Sequence, residues 1–166
     1  MKKLILLFLS ILLFSTSLYA NEKLYSFIGV QASVSKFDKL STPTFGLKYG
    51  KQSKDMRTAI AYRYGNKSNN TFQSLIMQID SAILTQTFKD IAFKPYLGVS
   101  LGVMQHKNME LLGYDDKGFV YGVNTGLSYI VNNNIDLDLG YRFLKTSKMK
   151  EIDSINDISF AMHYFY

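Results

Sequence analysis

Ile158-Ser159-Phe160-Ala161-Met162-His163-Tyr164-Phe165-Tyr166 is the stretch whose reading decides the fold. In an extended chain Ile158, Phe160, Met162, Tyr164 and Tyr166 fall on one side, and Ser159, Ala161 and His163 on the other, joined by Phe165. Alternation with period two describes a strand whose two faces have different surroundings. Chain ends fray into water, so a globular protein seldom closes on five large apolar side chains spaced two apart. A membrane barrel can, because its outer face meets lipid.

Seven earlier runs share this grammar: 24–34, 44–51, 57–65, 74–84, 94–104, 119–131 and 135–144. One face of each is apolar, as in Ile28-x-Val30-x-Ala32-x-Val34 or Leu97-x-Val99-x-Leu101-x-Val103. None of the positions assigned to that face is charged, although charged residues make up 19% of the chain. An arginine or lysine facing the middle of a bilayer costs about 2–4 kcal/mol, so this exclusion is what a lipid-facing wall requires. The opposite face carries Gln31, Lys48, Arg57, Arg63, Gln78, Asp80, Asp136, Asp138, Arg142 and His163, together with most of the eleven glycines. Glycine weakens a strand and needs a local reason. A small barrel supplies one, since glycine lets the sheet curve and leaves room for long inward side chains. The pattern predicts an all-β protein: an eight-stranded antiparallel up-and-down transmembrane β-barrel.

Before the first run, Lys2 and Lys3 precede an apolar stretch from Leu4 to Phe14, followed by Ser15-Thr16-Ser17-Leu18-Tyr19-Ala20. This is the layout of a cleavable secretory signal peptide, with the cut expected after Ala20. Residues 1–20 are thus the expected leader and 21–166 the barrel domain. The apolar stretch is shorter than the roughly 20 residues of a spanning helix, and no later segment approaches that length. Absence of cysteine excludes a lipoprotein anchor, disulfides and thiolate metal sites. The formal charge of +6 includes the two leader lysines, and no basic cluster points to nucleic acid.

Connections 51–56, 85–93 and 132–134 are compact, and Asn132-Asn133-Asn134 offers the left-handed backbone of a hairpin turn. Segments 35–43, 66–72, 105–118 and 145–157 are expected as surface loops, with both termini in the periplasm.

Lys94-Pro95-Tyr96-Leu97-Gly98-Val99-Ser100-Leu101-Gly102 resembles a middle strand of small outer-membrane barrels. So do Tyr121-Gly122-Val123-Asn124-Thr125-Gly126-Leu127-Ser128-Tyr129 and Ile135-Asp136-Leu137-Asp138-Leu139-Gly140-Tyr141-Arg142-Phe143. The mature chain resembles the OmpA/OmpX-like barrel family of Gram-negative bacteria. The resemblance implies location in the bacterial outer membrane, and contact with outer-membrane lipid and lipopolysaccharide. It also implies a C-terminal aromatic strand read by the barrel-assembly machinery. Ile158, Phe160, Met162, Tyr164 and Tyr166 match that assembly signal, with tyrosine where phenylalanine is more usual.

For the interior, Lys48, Arg57, Arg63, Asp80, Asp136, Asp138, Arg142 and His163 are expected to form a polar network that plugs the lumen. Eight strands enclose a space only wide enough for side chains, and charges buried there must pair. The alternative is a small porin or transport channel for ions or small solutes. A soluble lipocalin-like binder would need an apolar inside and polar outside, the reverse of this pattern. Some barrels of this size modify lipid A with a histidine, a serine and a carboxylate. Here only His106 and His163 are available, and Gln105-His106-Lys107-Asn108 has no neighbouring serine, so His106 reads as a surface polar group and no catalytic residue is assigned. No metal or cofactor spacing is present; Asp115-Asp116 reads as a solvated pair. Lys36, Lys39, Lys67, Lys107, Lys117, Lys145, Lys148 and Lys150 form a basic rim able to meet lipopolysaccharide phosphates or a polyanion. A structural or surface-interaction role is expected, with any surface ligand met by loops 105–118 and 145–157.

Overall fold

A computed structural model describes residues 24–38, 40–82, 92–108 and 114–166. The expected leader, Lys39, Ile83 and most of the 85–93 connection lie outside the described residues. The strands are β1 (Tyr25–Phe37), β2 (Leu40–Gln52), β3 (Met56–Lys67), β4 (Asn70–Ala82), β5 (Phe93–Asn108), β6 (Tyr114–Ile130), β7 (Ile135–Ser147) and β8 (Ser154–Phe165). Each pairs antiparallel with its sequence neighbour, and β8 returns to β1 to close the barrel. Closure leaves no free sheet edge, the condition for strands to cross a bilayer. In the closing seam Phe27 lies opposite Phe165 and Val34 opposite Ile158, so the terminal strand does pair with the first. The start of β1 and the end of β8 therefore lie at one end of the barrel, here the terminal end; the opposite end is the loop end.

The wall is apolar outside and polar within, as the alternation requires. Phe45, Leu47, Ile158 and Phe160 are exposed on the outer face, whereas Arg57, Asp80 and Asp138 are buried inside. Tyr49, Tyr129, Tyr164 and Tyr166 are exposed toward the terminal end, and Tyr62 and Tyr64 toward the loop end. Phenols at such heights sit half in lipid and half in water.

The strands run further at the loop end than the sequence suggested. In their described residues, segments 35–43, 66–72, 105–118 and 145–157 are not free loops along their length, residues 109–113 lying outside the described ones. β1 and β2 are joined through Asp38, β3 and β4 through Ser68 and Asn69, and the last connection spans only 148–153. The apolar run ends where the wall leaves lipid, but the hydrogen-bonded ladder continues with polar residues such as Lys36, Lys107 and Lys117 facing out. Ser68 and Asn69 both adopt positive φ, 48° and 60°, the geometry of a two-residue hairpin turn that matches strand twist. The left-handed backbone expected at 132–134 is absent: among the described residues, non-glycine positive φ occurs at Asp38, Ser68, Asn69 and Lys148. Instead the Asn132 side chain accepts the Asn134 backbone N–H at 2.9 Å, so an Asx turn closes that connection.

Candidate functional site: the barrel interior and its loop-end mouth

Inward positions of all eight strands converge on the lumen, and their chemistry changes with height. Nearest the termini, Phe27, Ala59 and Phe165 form a small apolar floor. His163 is fully buried above it, its ring 4.7 Å from that of Phe27. Its Nδ1 lies 2.6 Å from Asp136 Oδ1, and Ser128 Oγ donates to the other carboxylate oxygen at 3.2 Å.

The middle storey is built on Arg57. Its Nε donates to Asp80 at 3.0 Å and its Nη2 to Asp138 at 2.7 Å. Tyr96 donates its hydroxyl to the other Asp138 oxygen at 2.9 Å, and the Arg57 guanidinium lies 4.8 Å from its ring centre. Room for that ring comes from Gly126 and Gly140, which face each other across β6 and β7. A Cβ on them would stand 2.5 Å and 2.8 Å from the Tyr96 hydroxyl oxygen. Asp80 also accepts from Gln78 at 2.7 Å and from Asn124 at 2.5 Å. Lys48 is buried in the same storey.

Higher still, Arg63 Nη2 donates to Asp157 at 2.6 Å and to the hydroxyls of Ser33, Ser35 and Thr44. Arg142 donates to Gln78 Oε1 at 2.6 Å and lies 3.8 Å from the second Asp157 oxygen. Asp157 is fully buried and belongs on the inner face, not in the surface loop expected over 145–157. Among the described residues of these storeys, Lys48, Arg57, Arg63 and Arg142 face Asp80, Asp136, Asp138 and Asp157, so the formal charges balance. Such balance is needed where desolvation of an unpaired ion costs several kcal/mol.

At the loop end the interior turns apolar. Phe37, Phe72, Ile76, Met104, Val120, Leu144, Ile152 and Ile155 form one buried cluster. Phe37 stacks on Phe72 at 3.9 Å and Phe72 on His106 at 4.7 Å. His106 is therefore not a surface group: it is 4% exposed, its Nε2 lies 2.8 Å from the Asn70 side-chain oxygen, and its Nδ1 4.0 Å from Glu151. It lies beyond the apolar belt, since Gln105 and Lys107 flank it on the outer face. Burial holds the imidazole below its ordinary value against the opposing pull of Glu151 and Asp116. The Asp38 carboxylate ties the mouth together by accepting the Asp153 N–H at 2.8 Å and the Ser154 hydroxyl at 3.2 Å.

The residues expected inside are all buried, and the contacts above join all but Lys48 into paired clusters. Further members went unmarked from sequence, among them Tyr96, Asn124, Ser35 and Asp157. Tyr96 and Asn124 already lie in the inward phase of their runs, and Ser35 and Asp157 lie one inward step beyond the ends of theirs. Among the described residues no cluster of potential metal ligands forms. Ile158, Phe160, Met162, Tyr164 and Tyr166 project outward on and just past β8.

A closed eight-stranded barrel with an apolar outer wall and an ion-paired interior defines a transmembrane β-barrel of the bacterial outer membrane. The chain belongs to the outer membrane protein beta-barrel domain family, whose model matches residues 6–164. No curated relative matches the chain. Among solved structures it is similar to Neisserial surface protein A, with TM-score 0.67 and 22% identity over 86% of this chain and 97% of that one. Outer membrane protein H of Pseudomonas aeruginosa aligns with TM-score 0.63 and 20% identity over 86% and 99%. The outer membrane enzyme PagL aligns with TM-score 0.54 and 13% identity over 83% and 98%. At these identities the likeness is one of fold.

Proposed function

We propose that this protein is a non-conducting outer-membrane barrel that acts through its outward surface, in envelope integrity or adhesion. The termini lie in the periplasm and the loop end faces outside. The observation that carries this reading is the double seal of the lumen. Arg57 bridges Asp80 and Asp138 across the polar storeys, and the Phe37–Phe72 stack tops them with an apolar layer. An ion would have to replace buried, charge-assisted contacts and then cross an apolar layer; both steps oppose conduction. Reconstitution in planar bilayers tests it: the intact protein gives no stable single-channel steps, and large stable steps would establish the pore reading instead.

The fold also carries an enzyme, PagL, so catalysis needs its own consideration. A non-enzymatic role is supported by the setting of His106. Its ring is stacked inside the mouth and Nε2 is engaged by Asn70, rather than facing lipid beside a nucleophile. Mass spectrometry of lipid A from cells with and without the protein checks this, and loss of an acyl chain only in its presence would refute it. The outward side chains from Ile158 to Tyr166 serve as the signal for barrel assembly in this reading; their replacement by alanine lowers yield in the outer membrane.

A further inference from the structure

The mouth of the barrel holds a cavity of about 540 Å³ that the sealed-lumen reading does not use. A space of this size falls in the range of small-molecule sites, which are apolar with a few placed polar groups. Strand register builds its apolar side. Phe37 and Leu40 stand opposite each other at the tip of the β1–β2 hairpin, and Phe72 and His106 across β4 and β5. The three rings are stacked, and Ile152, from the same buried cluster, lines the cavity with them.

The remaining lining is acidic. Asp38, Glu151 and Asp153 border the cavity, and the described residues that line it include no lysine or arginine. The chain as a whole carries a formal charge of +6, so this sign is a local feature. Glu151 comes within 4.0 Å of His106 Nδ1, which places its carboxylate beside the ring stack. Among the described residues the Asp153 carboxylate makes no hydrogen bond or ion pair.

The connection that carries these carboxylates is tied down on both sides. Asp38 accepts the backbone N–H groups of Asp153 and Ser154 at 2.8 and 3.3 Å, and Asp116 accepts that of Lys150 at 2.7 Å. Between the ties Ile152 is buried in the apolar cluster. A site held in this way spends little on ordering when a ligand enters.

We propose that this cavity binds a small organic cation with a flat apolar body, of the aromatic-amine class. The body lies against Phe37, Phe72 and Leu40, and the ammonium meets Glu151 and Asp153. Charge complementarity selects the cation, and neighbouring ring faces attract it further. A bare metal ion is a poorer occupant, because among the described residues no three potential ligands converge. The cavity and its charges are the same whether or not the lumen conducts.

The experiment titrates phenethylamine into phosphatidylcholine nanodiscs that hold the mature protein, with empty nanodiscs as the blank, and follows ring resonances. The His106 and Phe72 rings shift and saturate, while the His163 ring near the terminal end does not. Phenethyl alcohol keeps the body without the charge, and ethylamine keeps the charge without the ring; each binds about tenfold more weakly or worse. Glu151→Gln together with Asp153→Asn raises the half-saturating concentration about tenfold, the effect of losing two partly exposed charge contacts. Leu40→Trp fills the cavity without touching a carboxylate and abolishes saturation, with unchanged His163 resonances as the check on folding. Asp115→Asn, at the loop end but outside the cavity, changes nothing. Equal affinity for the alcohol, an unchanged titration in the double variant, or tighter binding of trilysine than of phenethylamine would overturn the proposal, the last by assigning the cavity to basic peptides. Conductance by the intact protein would sink the sealed-lumen reading and leave this one standing.

Discussion

Arg57 Nη2 lies 2.7 Å from Asp138 Oδ2, joining β3 to β7 through the lumen, while its Nε holds Asp80 on the neighbouring strand. One guanidinium thus ties β7 to the β3–β4 pair, with which it shares no ladder. Arginine suits the task because its planar fork presents donors in two directions at once.

Removing that fork leaves two buried carboxylates without their main cation. Arg57→Ala is expected to destabilise the barrel by about 3–5 kcal/mol, the usual cost of breaking a buried pair from one side. Urea unfolding in phospholipid vesicles reads this directly. Arg57→Met combined with Asp80→Asn is expected to recover part of the loss, because one cation and one carboxylate are then removed together and the buried charges stay balanced. A single variant as stable as the parent would show that the bridge contributes little.

Arg142 tests the seal rather than the bridge. Its side chain meets Gln78 at 2.6 Å and Asp157 at 3.8 Å, below the apolar layer. Arg142→Ala is expected to lower the unfolding midpoint without opening a pore, because the layer above it is untouched. Large, stable currents from this variant in planar bilayers would contradict the sealed-lumen reading.

The apolar layer makes the complementary prediction. Phe72 is stacked between Phe37 and His106. Phe72→Ala removes both ring contacts and is expected to cost about 3–5 kcal/mol. The polar storeys remain, so conductance should stay absent. Thermal shift in detergent and bilayer recording on the same preparation separate the two effects.

How much of this was legible in the sequence depends on what each residue faces. The wall was, because lipid forbids charge and therefore writes a strict pattern on positions such as Val30, Leu47, Val99 and Phe160. Most inward charges were too: Lys48, Arg63, Asp136, Asp138 and Arg142 each lie in phase between apolar neighbours. The loop end was not. Beyond the bilayer the outer face is polar, so alternation at Lys36, Lys107 and Lys117 no longer separates strand from loop. Asp157 and His106 were misplaced for that reason. The division of the interior into polar and apolar storeys was equally hidden, because it depends on the tilt that brings Phe37, Met104 and Ile155 to one height.

Tyr96 marks a place where side-chain volume is under tight constraint. It fits over Gly126 and Gly140 to reach Asp138. Gly126→Ala puts a methyl 2.5 Å from its hydroxyl oxygen and also against the Leu139 carbonyl, which is backbone and cannot swing aside. A loss of about 1–3 kcal/mol is expected from such overpacking. Tyr96→Phe in the Gly126→Ala background should restore part of it by removing the clashing oxygen. If the second substitution only adds to the damage, the crowding lies in the backbone alone.

His106 gives the mouth a defined response to acid. Burial lowers its affinity for protons in the folded state below the ordinary value of 6.5. The unfolded chain then binds more protons than the folded one between the lowered value and 6.5, so stability rises with pH across that window. Acidification through it should loosen the mouth, and the loss should level off once the folded imidazole is itself protonated. Part of the effect is countered as the charged ring gains Glu151, 4.0 Å away. NMR titration of the His106 ring should give a midpoint below 6.5, and His106→Phe should flatten the pH dependence of the unfolding midpoint in that range. A ring midpoint at or above 6.5 would mean that Glu151 outweighs burial and would reverse the predicted slope.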